Sequence, residues 1–191
     1  MGMPDAVRRY TVAEVLEFPS DGNRYELVDG ELLVTPAPRF RHQRVVGRIH
    51  HALFDYLEAH PGNGEVLFSP ADITWGSKKD LTQPDVFVVA ADEVRDSNTS
   101  WDSIRTLLLA VEVISPSSTR YDRVTKRHLY QRRGVATYWV VDPDARLFEV
   151  WHPDDERPEI VTDLLRWRVA EDADELLIEL GELFRELPGS R

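Results

Sequence analysis

The 191-residue sequence contains no cysteine. That absence excludes disulfide cross-links, thiolate nucleophiles and sulfur-ligated metals. It is compatible with a reducing compartment, and a cytoplasmic location is expected. No apolar run approaches the roughly 18 residues of a membrane span, and there is no basic-then-apolar leader, so neither an anchor nor a signal peptide is predicted. The GxxxxGKS phosphate loop, the GxSxG elbow and the HExxH pair are also missing, which argues against P-loop, serine-esterase and zincin chemistry. His50 and His51 are adjacent and point apart on a helix, so they do not form a zinc site. A formal net charge of −11 argues against a protein that coats nucleic acid non-specifically.

What is present is a globular composition. Hydrophobic residues make up 42% of the chain and include five Trp, enough for one domain over residues 1–191 with a sizeable core. The charge is unevenly spread. Residues 119–133 carry six basic side chains against one acid, and residues 38–51 carry four arginines and no acid. Two basic helices on an acidic body can present an anion-binding face through Arg44, Arg120, Arg123 and Arg127. The plainer reading is that they are solvated helix faces.

Thr11-Val12-Ala13-Glu14 fits a capping box opening a short helix. Residues 24–35 read as a hairpin turned by Asp29-Gly30, whose positive φ angles suit a two-residue loop. This register puts Glu26, Val28, Glu31 and Leu33 on one face. A helix is predicted from Phe40 to His60, with Val46, Ile49, Leu53 and Leu57 as its buried stripe and His42 on the same face near its start. Glu65 to Thr74 reads as a strand with a possible break at Pro70, and residues 92–103 read as a polar loop. A second capping-box start, Thr119-x-x-Asp122, opens a helix to Arg133, with Gly134 beyond it. Ala136 to Val141 is a further strand. A tail hairpin, 147–151 with 165–169, and a helix near Leu183 follow. This order predicts an α/β (α+β) fold in which helices flank a mixed central sheet, with an added N-terminal hairpin and a β-rich C-terminal tail.

The most informative feature is a carboxylate inside each of two apolar runs, Pro84-Asp85-Val86-Phe87-Val88-Val89 and Leu107-Leu108-Leu109-Ala110-Val111-Glu112-Val113-Ile114. Both runs read as buried strands. An ionised carboxylate is almost never fully buried unless it is paired or bound to metal, because leaving water costs many kcal/mol. Two such acids in neighbouring strands point to a shared cation. Mg²⁺ (or Mn²⁺) suits them, since it takes one or two carboxylates and fills its remaining positions with water and phosphate oxygens. The plainer alternatives are a strand-start Asp85 bonded to backbone amides and a structural ion pair at Glu112. Glu26 and Glu31 face either solvent or the metal, and Glu31 is taken as the third ligand. Lys126 lies one helical turn after Asp122, which permits either a simple ion pair or an ammonium that orients a nucleophilic water. His42 is read as a group supporting the ligands.

The run Tyr25-Glu26-Leu27-Val28-Asp29-Gly30-Glu31, His42, Pro84-Asp85-Val86 and Glu112-Val113-Ile114-Ser115-Pro116-Ser117-Ser118-Thr119, with Asp122 and Lys126, resembles the Uma-two family of restriction-endonuclease-like proteins. So do Gly134-Val135, Tyr138-Trp139 and Val141-Asp142-Pro143. The resemblance runs from about Tyr10 to Leu187. It implies the PD-(D/E)xK nuclease fold, in which Pro84-Asp85 and Glu112 bind Mg²⁺. The superfamily's lysine would stand two residues after Glu112, where this chain has Ile114, and Lys126 is the candidate replacement.

The leading expectation is therefore a Mg²⁺-dependent DNA endonuclease with Asp85, Glu112 and Lys126 as catalytic residues. Asp85, Glu112 and Glu31 would bind the metal, supported by His42 and Asp122. Cutting both strands of a duplex with one site per chain would favour a homodimer. The alternatives are a non-catalytic nuclease-fold protein that binds nucleic acid or a protein partner, and a hydrolase of another phosphate ester.

Overall fold

A computed structural model of the chain describes residues 8–94 and 100–187. The core is a six-stranded mixed sheet in the order β3-β4-β5-β6-β7-β8, built from β3 (Gly64–Phe68), β4 (Val86–Ala90), β5 (Leu107–Val113), β6 (Thr137–Asp142), β7 (Leu147–Trp151) and β8 (Glu159–Val161). Of these neighbours only β5 and β6 run parallel. A parallel pair needs a crossover, and the helix of the 119–132 region supplies it. The central strands are covered on both faces, which is why β4 and β5 read as unbroken apolar runs rather than alternating ones.

The two faces bury different residues. Val86, Val88, Leu109, Val111, Trp139 and Phe148 face α2 (Phe40–Glu58), which contributes Val45, Val46, Ile49 and Leu53. This face also takes the hairpin of β9 (Leu164–Trp167) and β10 (Leu176–Glu179), together with α4 (Leu180–Leu183). On the opposite face Phe87, Val89, Ala110, Tyr138 and Val140 meet Leu129 and Tyr130 of α3 (Arg127–Arg132), and Val28 and Leu33 of the N-terminal hairpin. That hairpin pairs β1 (Arg24–Val28) with β2 (Glu31–Thr35) in the expected register, Val28 opposite Glu31. Asp29 and Gly30 both have positive φ, 52° and 79°, as the two-residue turn requires. The Thr11 capping box also forms, at the head of α1 (Val12–Leu16).

Several expected elements take another form. The strand foreseen from Glu65 to Thr74 ends at Phe68; beyond it only Ile73 bridges, to Thr82. The tail hairpin is paired differently: β7 joins β6 and β8, whereas β9 pairs with β10. Two strands outside the expected pair account for this, the short β8 between its segments and β10 after them. The capping box at Thr119 does not form: the Thr119 hydroxyl donates to Ser115 O, and Asp122 is turned inward. The middle of the loop expected at 92–103, residues 95–99, lies outside the described residues.

Trp139 is fully buried and packs edge-on against Phe148 and Trp167, so it joins the sheet to the C-terminal hairpin. Trp139→Ala should cost about 3–5 kcal/mol, seen in urea unfolding as a lower midpoint at unchanged slope. A loss below about 1 kcal/mol would mean the hairpin docks without that contact.

Candidate active site

Asp85 stands one residue before β4. Continuing the register of Val86 with Val111 puts it opposite Glu112 of β5, on the same face of the sheet. Both side chains are buried and both line one cleft of about 340 Å³. The cleft is also lined by Thr35 to Arg39, from the end of β2 to the start of α2, and by Ser115 to Ser118.

Lys126 enters from the crossover. The stretch Tyr121–Lys126 is wound as a π-helix and passes directly into α3. In an ordinary α-helix each step of four residues advances by about 40°, so Asp122, Lys126 and Tyr130 would drift round the axis. The wider π turn lags instead and cancels the drift. All three side chains consequently point to the sheet and are buried.

The Lys126 ammonium lies 2.9 Å from Glu26, 3.1 Å from Glu112 and 3.3 Å from Asp122. Three acids thus share one buried cation. Glu26, on β1, also accepts the Gln83 N–H at 2.8 Å. Glu112 Oε1 accepts from both Lys126 and the Tyr130 hydroxyl, at 3.1 and 2.8 Å. No hydrogen bond reaches Glu112 Oε2 from the described residues. Asp85 is held by a separate set of donors: Arg24 at 3.0 Å, His42 at 3.0 Å and the Val113 N–H at 2.9 Å.

The electrostatics divide these acids. Burial alone would raise Asp85, but the His42 contact, the Arg24 charge and the Val113 N–H outweigh it and hold the carboxyl well below its ordinary range. For Glu112 burial wins: together with Asp122, Asp85 and Glu26 it pushes the carboxyl well up against the pull of Lys126. Asp122 is raised for the same leading reason, burial, despite Lys126. Lys126 also loses solvation, yet Glu112, Glu26 and Asp122 hold it firmly as the cation.

The donors fit a hard divalent cation. They are carboxylate oxygens, Asp85 is kept ionised, and Glu112 keeps one oxygen free of hydrogen-bond donors. Glu26 Oε2 and Asp122 Oδ1 are not available to the cation, since they are the oxygens that face the Lys126 ammonium at 2.9 and 3.3 Å. Among the described residues no group of three or more acids and histidines forms a ready cage. Mg²⁺ does not need one, since it binds through one or two carboxylates and keeps its waters.

Other expected residues sit elsewhere. Glu31, taken as the third ligand, is exposed beside the hairpin turn, whereas Glu26, at the other end of the same face, is buried at the lysine. The shared face was legible, but alternation does not tell which end of a strand meets the core. Arg44, Arg123 and Arg127, expected at nucleic acid, do not line the cleft. Arg44 donates to Glu186 O near the end of the described chain. Arg123 pairs with Asp142 and Glu149, and Arg127 stacks 4.6 Å over Trp151. Arg120 is exposed and also outside the cleft lining. The basic stretch at 119–133 therefore holds the fold together: Arg132 and Arg133 tie α3 to Asp29 and Asp80. The arginines that do reach the cleft are Arg24, Arg39 and Arg41.

Lys126→Met should destabilise the protein by about 3–5 kcal/mol at neutral pH, the cost of breaking a buried ion pair. Burial already raises Glu112 and Asp122 above their unfolded values near 4, and loss of the ammonium, which pulls both down, raises them further. The folded state then binds more protons than the unfolded one, so the variant's stability falls as pH rises above about 4 and returns in acid. For Asp85 the sign is reversed: its contribution is present above its unfolded pKa and is lost as pH falls through the lower folded value. Urea unfolding between about pH 2 and 8 checks both signs. A Lys126→Met stability that ignores pH would contradict the shared-cation geometry.

Comparison with known proteins adds the following. Residues 12–180 match the sequence model of the Uma2 family, whose description is "Putative restriction endonuclease". A crystal structure from Anabaena variabilis ATCC 29413, titled a "putative nuclease belonging to DUF820", superposes with a TM-score of 0.74 at 21% identity, covering 91% of this chain and 97% of that one. At that identity the likeness speaks for the fold. No curated protein matches the chain.

Proposed function

The chain belongs to the Uma2 family, and on that premise we propose that it is an endonuclease hydrolysing DNA phosphodiester bonds with Mg²⁺ or Mn²⁺. The observation that carries this reading is the meeting of Asp85, Glu112 and Lys126, from two strands and the crossover helix, at one open cleft. Asp85 and the free oxygen of Glu112 would hold the metal, which when bound supplies a nucleophilic hydroxide and charge stabilisation at the phosphate.

The chain's own groups have distinct tasks. Arg24 and His42 keep Asp85 anionic. Lys126 fixes Glu112 through Oε1, leaving Oε2 for the cleft, and its ammonium offsets negative charge that builds at phosphorus. Tyr130 locks the same Glu112 oxygen from the other side. Arg39 and Arg41 line the mouth, where a phosphodiester backbone would enter. The N-terminus of α2 carries no side-chain cap, and Arg39, Arg41 and His42 there line the cleft, so its positive dipole end also favours an anion.

The second reading is a nuclease-fold protein that binds nucleic acid without cutting it. What favours it is the saturation of Asp85 by Arg24, His42 and Val113, together with Ile114 in the lysine position.

Incubation with supercoiled plasmid and Mg²⁺ or Mn²⁺ should give nicked and linear DNA, and EDTA should abolish the products. Asp85→Asn and Glu112→Gln should each slow cleavage by at least about 10²-fold while circular dichroism shows a native fold. Cleavage at the wild-type rate by Glu112→Gln, or in EDTA, would overturn the proposal. Salt-dependent DNA binding without cleavage under any divalent cation would establish the second reading.

A further inference from the structure

The cations that line the cleft are not equally free. Lys126 is committed to Glu26, Glu112 and Asp122, and its side chain is only 3% exposed. His42 Nε2 is taken by Asp85, and Arg41 is turned to Asp144 and Pro143 O. Arg24 differs. It stands two residues before Glu26 on β1, so both side chains leave the same face of the hairpin. Glu26 reaches Lys126, whereas Arg24 reaches Asp85 and lines the cleft with its side chain 18% exposed.

Arg24 uses one nitrogen as an anchor. Its Nη1 donates to Gln83 O and to Asp85 Oδ1, both at 3.0 Å. Nε and Nη2 donate to no acceptor among the described residues, and neither is sealed from solvent. These two nitrogens form one edge of the guanidinium plane, the fork that takes two oxygens of a phosphate. Asp85 adds a second constraint. Its Oδ2 accepts from both His42 and the Val113 N–H, whereas its Oδ1 accepts from Arg24 alone. The oxygen with room for a cation is therefore the one that Arg24 touches.

We propose that Arg24 is a catalytic residue that grips the scissile phosphate through Nε and Nη2. The anchored nitrogen fixes the guanidinium at Asp85, so the free edge is already oriented when a phosphodiester enters. Charge that develops on the non-bridging oxygens then meets two charge-assisted hydrogen bonds in a partly desolvated cleft. Lys126 acts on the phosphate through its charge; a direct hydrogen bond would require it to release one of the acids around it. Ile114, two residues after Glu112, has no donor to offer. The inference rests on the phosphodiester reading of the cleft and goes beyond it in naming the group that touches the phosphate.

Two measurements on the full chain separate this contact from the cleavage reading. In Ca²⁺, titration with dimethyl phosphate, a minimal phosphodiester, should shift the Arg24 Nε–H magnetic resonance, identified by its loss in Arg24→Lys and Arg24→Gln. On supercoiled plasmid with saturating Mn²⁺, Arg24→Lys should lower kcat by about 10²-fold while circular dichroism shows a native fold. The lysine keeps a positive charge beside Asp85 but lacks the planar fork, so it would rescue a residue that only holds Asp85 ionised. A shifted resonance in a wild type that cuts no DNA supports the contact and overturns the cleavage reading alone. Cleavage with an unmoved resonance, or cleavage by Arg24→Lys at the wild-type rate, overturns the contact alone. An unmoved resonance together with no cleavage overturns both.

Discussion

The Lys126 ammonium is the interaction on which the rest of the site depends. Glu26, Glu112 and Asp122 come from a hairpin, a central strand and a crossover helix, and each would be strongly destabilising if buried as a lone anion. One cation within 3.3 Å of all of them makes the cluster tolerable and joins three elements at one point. Such an ion cluster is a poor source of net stability compared with apolar packing. Its presence at the edge of an open cleft is better explained by what the groups can do than by what they contribute to folding.

The fold delivers these groups through simple geometry. Opposite positions in the antiparallel pair β4–β5 put Asp85 and Glu112 on one face. The β5–β6 crossover carries Lys126 over that face, and the π turn keeps Asp122, Lys126 and Tyr130 in line. The N-terminal hairpin closes the cluster from the side with Glu26, and is itself held to α3 by the Asp29–Arg132 pair and through Asp80, which accepts the Asp29 N–H and pairs with Arg133. The result separates two environments at opposite positions of neighbouring strands: an Asp85 kept anionic by Arg24 and His42, and a Glu112 pushed toward its protonated form. Environments that drive two carboxyls apart in this way are a mark of functional sites.

Much of this was legible in the sequence. Charged residues inside apolar runs marked Asp85 and Glu112, because burial of an anion demands an explanation that composition alone can raise. The Asp29-Gly30 turn gave the hairpin register residue for residue. What escaped was information that only tertiary contact carries. Glu31 and Glu26 share a face, and only the docking of the hairpin decides which is buried. The arginines at 119–133 read as a basic surface, but Asp29, Asp80, Asp142 and Glu149, distant in sequence, pair with Arg123, Arg132 and Arg133. The π turn left no recognisable signature, and the short β8 was lost between stronger strands.

The central claim is that Asp85 and Glu112, organised by Arg24, His42 and Lys126, form a divalent-cation site. The most direct test is a crystal soaked in Mn²⁺ and measured at the manganese absorption edge. The account predicts an anomalous peak in the cleft in contact with both carboxylates, with Lys126 still on Glu112. A map without a peak at saturating Mn²⁺, with Asp85 still bound to Arg24 and His42, would contradict it.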